Sequence, residues 1–211
     1  DTALRSEMAN DAVLDDTVAR LAPDVVHLSR LRFLDRARLF ERLSIRNFDT
    51  GALTLEIGLE FAADFADIFA ARGYARAARG KARIERLGAD AVRMAYLGED
   101  GDRRVTRLAF DPEPAALDAD VARFVIRLAP GERRSLFVVV DCEDRRSPRG
   151  PALGFFRTLT EVRRRRRATV ARGAGPTTSD PAMNEMLRRA RVDLAMLTVR
   201  SGSGPYPHAG V

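Results

Sequence analysis

The sequence has almost none of the residues that build disulfide or metal frameworks. Its 211 residues include a single cysteine, Cys142, and two histidines, His27 and His208. One cysteine cannot form an internal disulfide, and His27 alternates with apolar residues in a strand-like stretch, as a packed or edge histidine would. We therefore expect no bound metal and no cofactor, and a reducing compartment, the cytoplasm.

Long apolar runs are also missing. The longest strongly apolar run, Leu136 to Val140, is far shorter than the roughly 20 residues that span a bilayer. The chain begins at Asp1 without an initiator methionine or a signal-peptide pattern, and it stops at Val211 without a helix cap. We expect no membrane partner, and we expect both ends to be cuts in a longer protein.

Lysine and tryptophan are scarce or absent, whereas arginine is abundant. Of the 36 basic residues only Lys81 is a lysine, and 30 acidic residues are interspersed among them, for a formal net charge of +6. A dispersed charge differs from the clustered basic face that binds nucleic acid. The run from Arg163 to Arg167 is better explained by the solvated surface of a helix, because five successive residues point all the way round it.

Alternating apolar residues predict a mainly β protein. Leu53 to Phe61 has an apolar side chain at every second position, the period of a strand with one face in water. Val25 to Leu34 and Phe40 to Phe48 are strand-like as well, and the three segments together predict a meander. The expected core face of the third segment consists of Leu55, Ile57, Leu59 and Phe61.

Two further hairpins are predicted downstream. Val92 to Tyr96 and Val105 to Phe110 flank the turn-forming segment Gly98 to Asp102. Ala122 to Leu128 and Leu136 to Asp141 flank a Pro-Gly turn. Short strands at this spacing predict an antiparallel two-sheet β-sandwich.

Two stretches have no clear periodicity. Thr2 to Arg20 predicts only an irregular or short-stranded approach to the first strand, and Gly73 to Arg83 is a loop by composition.

The pattern changes from strand to helix after Cys142. A Pro/Arg/Ser/Gly linker is followed by a helical pattern from Ala152 to Val170, with Phe155, Phe156, Leu159 and Val162 on its apolar side. We therefore predict a sandwich domain over residues 1–143, a linker with a helix over 144–177, and a further helix with a loop over 178–211.

Asp180-Pro181 predicts the start of that last helix, with an acidic N-cap and a proline at the first helical position. The helix has an apolar stripe that needs a partner. We expect the stripe to dock on the sandwich or to pair with a second copy in a homodimer. Its residues are Met183, Leu187, Ala190, Leu194 and Leu197.

Asp64 and Asp67 are the carboxylates that invite a catalytic interpretation, because glycosidases use a pair about 5 to 9.5 Å apart. We predict an extended chain from Asp64 to Phe69, ending in a turn at Gly73. An odd spacing in such a chain sends the two side chains to opposite faces. We interpret both as structural, paired with arginines such as Arg72 or Arg79, and we assign no catalytic residue.

A resemblance adds to this interpretation. The segment RLFERLSIRNF, followed by ADFADIF and RG, resembles the N-terminal domain of bacterial glycogen debranching enzymes of the amylo-α-1,6-glucosidase type. The resemblance implies a β-sandwich that precedes a helical (α/α)6 catalytic toroid, with its general acid and base beyond Val211. The closing segment, Gly204 to Gly210, resembles the lead-in to a substrate-binding loop. The interdomain or substrate-proximal candidates are Asp64, Asp67, Arg72, Tyr206 and His208.

Two functions stay open. The first is a non-catalytic N-terminal region that packs on its own catalytic domain and helps to shape a cleft for α-glucan. The alternative is a free-standing module that binds glucan or, through Arg163 to Arg167, nucleic acid. Sequence beyond Val211 would separate them, because the first requires repeated helix pairs there.

Overall fold

The structure is a computed structural model, and it describes residues 3–11, 21–74, 80–143, 150–171, 175–202 and 204–207. The chain divides into two compact units, Ala3–Arg157 and Thr158–Val211.

The first unit is built mainly from strands. In chain order these are β1 (Leu4–Ala9), β2 (Val26–Asp35), β3 (Arg38–Asn47), β4 (Leu53–Glu60), β5 (Lys81–Arg86), β6 (Ala91–Leu97), β7 (Arg103–Asp111), β8 (Ala116–Leu117), β9 (Val121–Leu128) and β10 (Arg133–Asp141). A short helix, α1 (Ile68–Ala71), follows β4, and a long helix, α2 (Gly150–Ala171), begins in this unit and continues into the second.

The strands form two antiparallel sheets that enclose one core. The large sheet has seven strands in the order β1-β2-β3-β10-β7-β6-β5, and the small sheet has three in the order β4-β9-β8. Apolar residues of both sheets meet in a single cluster, in which Ile45 and Val92 of the large sheet and Ala122 of the small sheet are fully buried. The predicted antiparallel two-sheet β-sandwich is confirmed.

The predicted partners of two strands are wrong, although the strands themselves exist. Leu53 to Phe61 does not continue the β2-β3 hairpin as a meander, because β4 pairs with β9 in the small sheet. β9 and β10 do not form a hairpin either, since β10 pairs with β3 and β7 in the large sheet. In both places the chain crosses from one sheet to the other within a few residues.

One buried side chain, Asn47, joins these two crossing points. Its Nδ2 donates to the carbonyl of Gly51 at 2.8 Å and to those of Leu128 and Ala129, both at 3.2 Å. Its Oδ1 accepts from the amide of Asp49 at 2.7 Å. Asn47 is 0% exposed, so these bonds satisfy a polar group that would otherwise cost stability.

The face of β4 that we predicted to be in the core is confirmed. Leu55, Ile57, Leu59 and Phe61 are partly buried and pack against the core cluster, while Glu56 and Glu60 are exposed.

The expected loop from Gly73 to Arg83 is wrong from residue 81 onward, because Lys81–Arg86 forms β5, the edge strand of the large sheet. All six residues of β5 are exposed. Little of their side-chain surface is buried, which explains why an apolar pattern did not reveal the strand.

The outer face of the large sheet carries its own small apolar cluster. Phe33 of β2 stacks on Phe40 of β3 with ring centroids 5.0 Å apart. Phe155 of α2 is 1% exposed and contacts Phe33 at 5.1 Å and Phe137 at 5.6 Å. The helix predicted from Ala152 is therefore confirmed, and its first turns cover part of the sheet.

The second unit contains the later turns of α2, the helix α3 (Pro181–Leu197) and a hairpin of β11 (Thr198–Ser201) and β12 (Gly204–Pro207). The predicted N-cap is confirmed, since the carboxylate of Asp180 accepts from the amide of Ala182 at 2.8 Å. No described residue of α3 is buried. Docking of its apolar stripe on the sandwich and pairing with a second copy both stay predictions.

The described helices include none that combines the length and the apolar character needed to cross a lipid bilayer. The domain limits of 1–143, 144–177 and 178–211 remain predictions.

Candidate functional site

The chain from Asp64 to Phe69 is not extended throughout, as we predicted it to be, because Phe65 has φ +49° and α1 begins at Ile68. Asp64 accepts from the amide of Ala66 at 3.0 Å, and Asp67 accepts from the amides of Phe69 and Ala70 at 2.9 and 2.8 Å. Such local bonds compete with strand pairing, and those of Asp67 cap the start of α1. The expected turn at Gly73 is present, with φ +87°.

This segment forms one wall of a cleft of about 960 Å3, and the β6-β7 hairpin forms the other. Phe65 stacks on Tyr96 of β6 with centroids 5.0 Å apart and an interplanar angle of 10°. The hydroxyl oxygen of Tyr96 accepts from the amide of Gly80 at 2.8 Å. Tyr74 also lines the cleft and is 67% exposed. The cleft therefore combines a fixed aromatic pair with one exposed ring.

An ion pair lies at the hairpin end of the cleft. Arg104 Nη2 donates to Asp100 Oδ2 at 2.6 Å, and the second oxygen, Oδ1, accepts from Arg104 Nη1 at 3.1 Å and from the amide of Asp102 at 3.0 Å. These bonds, the one with Arg104 first, lower the pKa of Asp100 from 3.8 to about 2. Asp100 is therefore a permanent anion in neutral solution.

The candidate residues from the sequence lie in different parts of the structure. Asp64 and Asp67 line the cleft, whereas Arg72 is exposed beside it and makes no ion pair with a described residue. Tyr206 lies on β12 in the second unit and is 62% exposed. His208, like Arg79, lies outside the described residues.

The sequence interpretation missed the other members of the cleft. It treated Gly98 to Asp102 as turn chemistry alone, although an acid at position 100 and an arginine four residues later could have suggested the Asp100–Arg104 pair. The contact between Phe65 and Tyr96 joins residues distant in the chain, so no local pattern pointed to it.

His27 and the arginine run were also considered as sites from the sequence. His27 Nε2 lies 3.1 Å from Glu7 Oε2, and its ring packs edge-on against Phe48 at 6.1 Å. Arg163 to Arg167 lie within α2 and are mostly exposed. Among the described residues, no group of His, Cys, Asp or Glu side chains could hold a metal ion.

Comparison with solved structures gives distant similarities. One is to a protein assigned as a kojibiose phosphorylase from the human microbiome, with 10% identity over 84% of this chain and 23% of that chain, and a TM-score of 0.40. Another is to a protein assigned as an aldose 1-epimerase from Escherichia coli K12, with 10% identity over 66% of this chain and 65% of that chain, and a TM-score of 0.36. This chain thus spans about a quarter of the phosphorylase, and scores this low carry no functional argument.

No curated protein matches this chain. A family model described as the N-terminal domain of (some) glycogen debranching enzymes matches residues 1–139. That range includes most of the sandwich and the whole segment from β4 to Tyr74. The chain therefore belongs to the family of N-terminal domains of glycogen debranching enzymes.

Proposed function

We propose that the chain is the non-catalytic N-terminal region of a larger cytoplasmic glycoside hydrolase that debranches glycogen, of the amylo-α-1,6-glucosidase type. In that enzyme it packs on the catalytic domain and helps to shape the glucan cleft. The observation that carries the proposal is the family match over residues 1–139.

The cleft beside β6 supports a role next to a glucan. Its volume of about 960 Å3 falls in the usual range of small-molecule sites, about 300 to 1,000 Å3. The exposed ring of Tyr74 offers an apolar surface with a polar tip, and Asp100 and Arg104 offer an acceptor and a donor. A sugar ring has apolar faces and hydroxyl edges, which suits this combination.

Three of the five carboxylates that line the cleft, those of Asp64, Asp67 and Asp100, support a non-catalytic role. A glycosidase general acid needs a raised pKa, whereas Arg104 lowers the pKa of Asp100 to about 2. Asp64 and Asp67 accept bonds from nearby backbone amides, so each has a structural task. In the proposed enzyme the general acid and base belong to the catalytic domain.

The gene sequence beyond the codon for Val211 tests the first part of the proposal. Repeated helix pairs with the apolar periodicity of a helical toroid are expected there. A stop codon directly after Val211 would instead favour the free-standing module.

A second experiment tests the cleft. The purified chain should release no glucose from a branched limit dextrin in a coupled glucose assay, and it should be retarded by glycogen in a native affinity gel. Tyr74→Ala should weaken that retardation about fivefold, the effect of losing about 1 kcal/mol of ring contact. Phe48→Ala, which removes another exposed ring that is not part of the cleft lining, should leave the retardation unchanged. Glucose release by the chain, or equal loss of retardation in both variants, would contradict the proposal.

A further inference from the structure

Three arginines share the outer face of the large sheet. Arg42 and Arg46 are four residues apart on β3, so both side chains leave the same face of the strand. Arg133 of β10 is the direct antiparallel partner of Arg46, as Phe137 is of Arg42. Directly opposed residues share a face. This face is also the one that Phe155 covers, through its contact with Phe137. We refer to Arg42, Arg46 and Arg133 as the arginine row.

The arginine row forms no ion pair with a carboxylate among the described residues. Asp111 of β7 opposes Phe137 on the same face, and its Oδ2 accepts from the amide of Ala152 at 3.1 Å. The Nε atom of Arg42 is buried and has no hydrogen-bond partner. The Arg42 guanidinium lies 5.9 Å from the ring centre of Phe155, and that of Arg46 lies 4.5 Å from the ring centre of Phe48. Aromatic faces attract a cation but supply no counter-charge. The positive charge of the row is therefore not neutralised by an ion pair with a described side chain.

Glu7 is the acid that β1 contributes to this face, and it is already engaged. It forms an ion pair with Arg5, lies 3.1 Å from His27 Nε2, and accepts from the Ser29 hydroxyl at 3.1 Å. Glu7 thus balances the charges near β1 and not those of the row.

Burial and like charges both act on Arg42. Burial lowers the pKa of the Arg42 guanidinium, and the positive charges of Arg133 and Arg5 lower it further. A cation that is desolvated and repelled by its neighbours gains more from an incoming anion than a solvated surface arginine does.

Two hydroxyls stand among the guanidinium groups. Ser44 lies between Arg42 and Arg46 on β3, and Ser135 is its direct partner on β10. Both share the face of the row, because their positions alternate in step with the arginines. Guanidinium forks and hydroxyls together are donors well suited to the several oxygens of one phosphate group.

We propose that the arginine row, together with Ser44 and Ser135, binds a phosphate group, carried by a small phosphate ester or present as free inorganic phosphate. The row spans two adjacent strands, which suits a single phosphate better than nucleic acid, whose affinity comes from contacts with many phosphates. The site shares no residue with the cleft at Tyr74. The proposal therefore does not rest on the proposed function, and either can fail alone.

Calorimetric titration of the intact chain tests the site. Inorganic phosphate, glucose 6-phosphate and glucose would each be titrated at pH 7 and constant ionic strength. We expect the two phosphate ligands to bind and glucose not to bind. Tighter binding of glucose 6-phosphate than of phosphate would identify the ester as the ligand, and equal binding would identify the phosphate ion itself.

The variant Arg46→Gln/Arg133→Gln should weaken phosphate binding about tenfold or more, because charge-assisted hydrogen bonds are lost. The matched control is Arg123→Gln/Arg127→Gln, which removes the same charge from exposed positions on β9; its binding should match the wild type. If the double variant at the row does not fold, Arg133→Gln alone can be tested, because Arg133 is exposed. Its affinity for phosphate should still fall several-fold.

Three results would overturn the proposal. The first is that the wild-type chain binds neither phosphate ligand at millimolar concentration. The second is that the control loses as much affinity as the row variant. The third is that a short DNA duplex binds in a row-dependent manner while the small phosphates do not.

Discussion

Replacing Phe110 with alanine is expected to loosen the contact between the two sheets. Phe110, on β7 of the large sheet, is 2% exposed. Its ring lies 5.8 Å from that of Phe61, which follows β4, and 6.1 Å from that of Phe124 on β9. One side chain thus contacts both sheets. Truncating a buried phenylalanine costs about 3 to 5 kcal/mol, from lost apolar burial and the cavity left behind.

That loss is a large share of the roughly 5 to 15 kcal/mol by which whole domains are stable. At about 2 to 4 °C per kcal/mol for a chain of this size, the melting temperature should fall by about 6 to 20 °C. Circular dichroism of the sheet signal would measure it. The control is Val125→Ala on the solvent-exposed face of β9, where the side chain is 52% exposed. The free energy of unfolding of this variant should differ from that of the wild type by no more than about 0.5 kcal/mol. Equal shifts in the two variants would refute the role of Phe110 between the sheets.

Three further predictions follow from the same structure. Ile57→Asp should prevent folding by placing a charge against the core, whereas Glu56→Ala on the wet face should melt like the wild type; equal melting temperatures would show the face assignment to be wrong. The Asp100 carboxyl should titrate in carbon-detected NMR with a midpoint near its pKa of about 2, and Arg104→Gln should move the midpoint up toward 3.8. Because folding lowers this pKa, the stabilisation is complete above about pH 4 and is lost as the pH falls toward 2; an unchanged midpoint in the variant would contradict the role of the ion pair. If the stripe of α3 pairs with a second copy, light scattering should give a dimer for the wild type and a monomer for Leu194→Glu. The Leu194 side chain of the wild type is 56% exposed in the single chain.

Local patterns predicted the parts of the fold that local interactions determine. β2 pairs with β3, and β6 with β7, each across a short turn. The alternating residues and the turn of each hairpin lie within about twenty residues of sequence. At such short range the sequence pattern indicates both the strands and their pairing. The cap of α3 is equally local, because Asp180 bonds to an amide two residues away.

The wrong partners of β4 and β9 have a shared physical cause. Alternation tells which residues of a strand face the core, but both sheets of a sandwich present the same alternation to that core. A short turn can therefore lead to the neighbouring strand or across to the facing sheet. The choice depends on contacts such as those of Asn47 with Leu128 and Ala129, which are 81 and 82 residues away.

The candidate site was predictable only in part. Asp64 and Asp67 were singled out from their spacing, and both line the cleft. Their bonds to nearby amides were not predicted, because an extended chain was assumed where the two side chains instead stabilise a turn and a helix start. The arginine row was also missed, since Arg42, Arg46 and Arg133 meet only through the pairing of β3 with β10.

The position of Asn47 has a consequence for the chain as it leaves the ribosome. The carbonyls of Leu128 and Ala129, which accept from the Asn47 side chain, are translated 81 and 82 residues later. At roughly 5 to 20 residues per second this delay is several seconds. Until then the β2-β3 hairpin can form, but the edge of β3 that will receive β10 has nothing to pair with. An open edge of this kind invites pairing with other chains. The nascent protein is therefore most vulnerable to aggregation after β3 has emerged and before β10 arrives, and this interval is where a chaperone would have the greatest effect on yield.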